Sequence, residues 1–241
     1  MNPHQSRSGL QAWKGTATLP FASFIVAVLL RVIRLDKTPG IYPDETSHLD
    51  AAYSLLRGDF TAGLFTSSFL PRLPLPLVLV NLAAAAVGWN LCAIRACTVA
   101  ASLLALIVMY RLLRGDPHNR FLFLPLLVFG IYSPAIYFNR WGFTYNFLAP
   151  LFLYVSYQSI RYGHTSRSSD LNKMAMGIAA ALVSEPLGVV ALIYGLAICA
   201  VGHRGAIRRV LWISLAPLCA YLAFLYGVIP NVLSSDIHGI L

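Results

Sequence analysis

Charge is scarce in this chain. Only 11% of its 241 residues are charged, against roughly 25% in an ordinary soluble domain. Acidic residues are the rarest part, nine against eighteen Lys and Arg, for a net charge of +9. No basic stripe with interleaved aromatics accompanies that excess, so a nucleic-acid partner is not expected. The four cysteines lack metal-ligand or redox spacing: Cys92 and Cys97 are five apart, and Cys199 and Cys219 lie inside apolar runs. They read as buried free thiols. Also missing are low-complexity tracts, clear internal repeats and any stretch polar enough for a soluble domain. The apolar run from Ala17 to Leu30 lacks a small-residue cleavage site and is followed directly by Arg31 and Arg34. It reads as a retained first span, with those two arginines expected to snorkel to the interface.

What the chain does contain is apolar sequence. Apolar residues make up 58%, and the mean hydropathy is +0.68. Segments suited to a bilayer run roughly 17–33, 73–88, 96–113, 121–138, 143–160, 174–184, 187–202 and 210–230. A full span needs about 20 residues, so three of these are short and loop charge must decide which cross. Basic clusters fall at Arg7/Lys14, Arg111/Arg114/Arg120, Arg161/Arg167/Lys173 and Arg204/Arg208/Arg209. All four face the cytoplasm if 73–88 lies along the interface and 174–202 crosses twice. The second condition needs a break at Ser184-Glu185-Pro186, where proline interrupts the helix. The expectation is therefore an all-α integral membrane domain over 1–241. It has about seven transmembrane helices, the N-terminus cytoplasmic and two interfacial helices in a first extracytoplasmic loop, 35–95. The rival topology has the N-terminus outside, 73–88 crossing and the acidic loop cytoplasmic.

That loop carries most of the acids. Tyr42-Pro43-Asp44-Glu45 leads into a short amphipathic helix, with Leu49, Ala52, Tyr53 and Leu56 on one face and Gly58 as a stop. Asp44 at the helix entry suits an N-cap, and Glu45 suits the helix dipole. Either residue could equally serve chemistry at the membrane surface. Arg140, in Tyr137-Phe138-Asn139-Arg140-Trp141, falls at the outer end of the 121–138 segment. It is either a phosphate-binding guanidinium or an arginine snorkelling beside an aromatic belt.

In order and spacing these motifs resemble the N-terminal half of the GT-C membrane glycosyltransferases. The likeness is to the polyprenyl-phosphate-sugar branch, which holds the protein O-mannosyltransferases and the aminoarabinose transferases. The motifs are the acidic pair Tyr42-Pro43-Asp44-Glu45-Thr46, the helix from Ser47 to Arg57, and the Pro71-Arg72-Leu73-Pro74-Leu75-Pro76-Leu77 stretch. Gly88, Arg95, the Asn139-Arg140 turn and the broken pair around Glu185, where members often have lysine, complete the set.

The resemblance implies inverting sugar transfer from a polyprenyl-phosphate carrier to an acceptor on the extracytoplasmic face. In that scheme Asp44 is the general base and Glu45 orients it. Arg140 and then Arg72 bind the donor phosphate, while Tyr42, His48, Asn139 and Glu185 contact substrate. His48 is alternatively a solvated interfacial histidine, and Glu185 a structural ion-pair partner. No cofactor is implied, although the acidic pair could bind a divalent cation weakly. Members are about twice as long, so a second subunit supplying the remaining half is an expected partner beside the bilayer. A non-catalytic relative and a transporter are the alternatives.

Overall fold

The computed structural model describes residues 18–37, 40, 43–67, 70–114, 123–202 and 204–228. It is all-helical apart from one two-stranded antiparallel ribbon, β1 (Phe65–Ser67) with β2 (Leu70–Pro71). The helices are α1 (Thr18–Val32), α2 (Pro43–Leu56), α3 (Phe60–Leu64), α4 (Pro74–Val87), α5 (Leu91–Arg114) and α6 (Phe123–Ile131). They continue with α7 (Ser133–Arg140), α8 (Leu148–Thr165), α9 (Ser168–Leu182), α10 (Val189–Gly202) and α11 (Ile207–Val228).

Local sequence explains most of the boundaries. Pro43 opens α2 and Pro74 opens α4, each at a position where a missing N–H costs nothing. Gly58 follows α2 with a positive φ of 80°, and Gly88 ends α4 with φ 86°, conformations that side chains disfavour. The expected break at Ser184-Glu185-Pro186 is present: α9 stops at Leu182, a 3-10 turn covers Pro186–Gly188, and α10 leaves from it. That turn folds tightly enough for a Cβ on Gly188 to lie 2.2 Å from the Ala181 carbonyl oxygen.

Three apolar clusters hold the helices together. Val155, Met174, Ile178, Ala191, Cys199 and Val210 join α8 to α11. Ala51, Ala52, Leu64, Leu77, Val80 and Ile94, with Leu225, pack α2, α3 and α4 onto α5 and α11. Ala27, Leu106 and Leu126 join α1, α5 and α6. The outer surfaces are apolar too: Ile25 and Leu29 on α1, Ile193 on α10 and Trp212 on α11 are all exposed.

Two helices, Leu91–Arg114 and Arg204–Leu225, are long and apolar enough to cross a membrane; Phe21–Val32, Pro74–Val87 and Pro186–Val201 are shorter apolar helices. About seven full-length spans were expected, and the described helices do not reach that count by length. In particular, 121–138 is two helices, α6 and α7. Pro134 cannot donate to the Gly130 carbonyl four residues back, and Tyr132 adopts an extended conformation between them.

Two further expectations are corrected. Arg31 does not snorkel outward. It is fully buried, because its guanidinium finds acceptors inside the bundle at the α6–α7 break. The apolar face of α2 is also rotated from the expected one. Ala51 and Ala52 are buried while Tyr53 and Leu56 are exposed, since α4 packs on the Ala51–Ala52 side.

Candidate functional site

The α1–α2, α4–α5, α7–α8 and α9–α10 connections meet at one end of the bundle, and the acidic loop lies among them. Its organising contact is Glu45, in the first turn of α2, with Arg95 near the start of α5. Arg95 Nε donates to Glu45 Oε1 and its Nη2 to Oε2, both at 2.8 Å, with both side chains withdrawn from solvent. The same guanidinium donates to the carbonyls of Leu35 and Gly40, each at 2.9 Å. Gly142, just after α7, completes the cluster by donating its amide to Glu45 Oε1 at 2.7 Å. A side chain there would collide with Ile94, which a Cβ would approach to 2.7 Å. Glycine is what lets this backbone reach a buried carboxylate.

Asp44, the neighbour of Glu45, is exposed. It is not the N-cap expected: α2 begins at Pro43, which puts Asp44 inside the first turn, where its charge still suits the helix dipole. Tyr42 lies outside the described residues. One turn on from Asp44, His48 is largely enclosed, not the solvated histidine considered above. Burial lowers its pKa from the ordinary value and the Arg72 charge lowers it further, while Asp44 pulls the other way. Arg72 is brought to this turn from the β2–α4 connection, where its Nη2 donates to Ser47 Oγ at 3.1 Å. Its backbone is fixed from two sides, by its own amide on the Leu64 carbonyl (2.6 Å) and by the Tyr221 hydroxyl of α11 on its carbonyl. Asp44, Ser47, His48 and Arg72 thus form one polar cluster.

Arg140 is at the same end but is engaged. Its Nη2 donates to the carbonyls of Ile33 (2.5 Å) and Arg34 (3.1 Å), and its Nη1 to Leu30 (3.3 Å). These groups lie at the C-terminus of α1, where helices leave carbonyls without partners. Arg140 therefore acts as a side-chain cap for α1, a role beside the phosphate contact expected of it. Only its buried Nε has no partner.

Asn139 donates to Ser102 Oγ at 2.7 Å; that hydroxyl also accepts from Arg31 Nε at 2.7 Å. Asn139 is half-buried, and this bond ties α7 to α5. Glu185 accepts a 2.6 Å hydrogen bond from Thr144, tying the α9–α10 break to the α7–α8 connection. Among the described residues no cluster of three metal-ligating side chains occurs.

Sequence reading passed over Ser47, Gly142 and the joining role of Arg95. Arg95 had a signal, a lone charge inside an apolar run; Gly142 and Ser47 had none. No family model, curated protein or solved structure matches the chain.

Proposed function

We propose that the chain is a multi-pass membrane glycosyltransferase of GT-C type, moving a sugar from a polyprenyl-phosphate carrier to an acceptor at the extracytoplasmic surface. The observation that carries this reading is the cluster on the first turns of α2. An exposed carboxylate, Asp44, lies on the same helical turn as His48 and Ser47, and Arg72 reaches that turn from another segment.

The membrane reading has three supports. Outward-facing side chains on α1, α10 and α11 are large and apolar, a poor surface for water and a good one for lipid. The α4 helix stays at one end of the bundle: Leu75 at its start donates to the Val183 carbonyl, and Arg95, shortly after its end, reaches Glu45. The basic ends of α5, α8 and α11, with Arg111, Arg161 and Arg208, lie away from that contact. This pattern suits seven passes made by α1, α5, α6 with α7, α8, α9, α10 and α11, with the N-terminus cytoplasmic.

In the reaction, an acceptor hydroxyl or amine attacks the anomeric carbon as its proton passes to an Asp44 carboxylate oxygen. The bond to phosphate breaks, its electron pair leaves on the phosphate oxygen, and the centre inverts. Arg72 stabilises the developing phosphate charge, and His48, held neutral by burial and by Arg72, offers a hydrogen-bonding edge. Glu45 and Arg140 do not touch substrate in this scheme; they set the height of Asp44 by fixing α2, α5 and the end of α1.

A second reading, a non-catalytic relative, is favoured by the engagement of Glu45, Arg140 and Glu185 in structural bonds. A transporter is less well supported, because the deeply placed Arg31 is bound to carbonyls at a helix break.

Native mass spectrometry with added polyprenyl phosphate tests the donor site. Wild type and Asp44→Asn are expected to retain the lipid, and Arg72→Ala to lose it. Release of carrier phosphate from loaded membranes should fall by about 100-fold or more in Asp44→Asn, in line with the usual worth of a general base. Lipid binding unaffected by Arg72→Ala refutes the donor site. Full turnover in Asp44→Asn refutes the base, and no turnover in wild type leaves the second reading.

A further inference from the structure

From the end of the bundle opposite Glu45 and Arg95, one face of α11 is open along most of its length. It borders an open surface depression of about 660 Å³, whose described lining is Arg204, Arg208, Leu211, Trp212, Leu215 and Cys219 among others, all on α11 or the turn before it. These positions recur every three or four residues, so they form a single stripe. The stripe is cationic at one end and apolar for the rest. Arg204 and Arg208 are exposed one turn apart, and Trp212 follows at 69% exposure.

We infer that this stripe binds an anionic phospholipid of the cytoplasmic leaflet. Arg204 and Arg208 would meet the headgroup phosphate, and an acyl chain would lie along Leu211, Trp212, Leu215 and Cys219. The inference rests on the membrane reading above but not on sugar transfer. Two observations choose this occupant over a protein helix. The first is charge complementarity, because the exposed arginines stand at one end of the depression and the rest of its named lining carries no charge. The second is length. From Arg208 to Cys219 the helix rises about 16 Å, close to the depth of one leaflet, half of a hydrocarbon core of about 30 Å. An amphipathic tryptophan just inside the arginines suits the boundary between headgroup and chain.

Trp212 supplies the readout. The full chain is reconstituted in vesicles containing brominated phosphatidylglycerol or brominated phosphatidylcholine, and tryptophan quenching is compared between wild type and Trp212→Phe to isolate the Trp212 signal. Half-quenching by the anionic lipid is expected at a roughly 30-fold lower mole fraction than by the neutral lipid, an effect of the size two surface arginines provide. The preference should vanish in Arg204→Ala/Arg208→Ala and persist in Asp44→Asn. Equal quenching of wild type by both lipids overturns the headgroup site. A chain that floats with vesicles while Trp212 stays unquenched overturns the inference in favour of a protein occupant. A chain that does not float with vesicles takes the membrane reading down with it.

Discussion

Arg95 holds Glu45 from 50 residues further along the chain, two nitrogens on two oxygens, with neither side chain open to solvent. Because Arg95 also binds the Leu35 and Gly40 carbonyls, one guanidinium joins the end of α1, the entry to α2 and the start of α5. A buried pair of this kind adds little net stability while intact, but removing one partner strands a charge. Glu45→Ala is therefore expected to cost about 3–5 kcal/mol. Replacing both residues by methionine should cost clearly less than either single alanine change. Unfolding in detergent micelles, run as a double-mutant cycle, measures this; a Glu45→Ala loss under about 1 kcal/mol would show that the pair does not hold the loop.

Gly142 gives an independent probe of the same cluster. Gly142→Ala forces Ile94 aside and pushes the Gly142 amide off Glu45, at an expected cost of about 1–3 kcal/mol. Combining it with Ile94→Ala relieves the collision while leaving the hydrogen bond, so the pair should be less damaged than the sum of the singles. Simple additivity would sink this account.

His48 reports on the Asp44 cluster through its protonation. Its folded-state pKa lies below the ordinary histidine value, so between that value and the lowered one the unfolded chain binds a proton that the folded chain refuses. Stability should therefore fall as pH drops from about 6.5 through the lowered pKa, and His48→Gln should flatten that dependence. Arg72→Ala should raise the His48 pKa and Asp44→Asn should lower it, as read from its imidazole resonance against pH. Shifts in the opposite sense would mean that the three side chains do not share a site.

Arg31 and Pro134 are coupled across the α6–α7 break. Pro134 leaves the Gly130 carbonyl without its helical donor, and Arg31 Nη1 supplies one at 2.8 Å. Arg31→Met should thus be strongly destabilising in the wild-type chain. It should be milder in Pro134→Ala, where an amide returns to that carbonyl. Equal losses in the two backgrounds, measured by unfolding in micelles, would show that Arg31 serves something other than the break.

Much of the architecture was legible from the chain alone because it depends on local rules. The 184–186 break, the separate 74–87 helix and the Gly58 stop all follow from proline, glycine and apolar periodicity within a few residues. The acidic loop was legible in the same way, as the stretch that holds most of the acids in an apolar chain. Hydropathy cannot choose between lipid and protein, since both are apolar. That is why the buried face of α2 and the inward course of Arg31 were misread.

Which polar atom meets which was decided only by the tertiary structure. Whether Glu45 faces a substrate or Arg95, and whether Arg140 meets a phosphate or the carbonyls of α1, depends on groups 50 to 110 residues apart. A charge taken out of water must find its partner wherever packing has put one, and no pattern within a single helix records where that is. The sequence by itself determined the helices, their breaks and the polar loop. The assembled bundle decided that Glu45 is a strut, that Arg140 is a cap, and that Asp44 stands exposed beside His48 and Arg72.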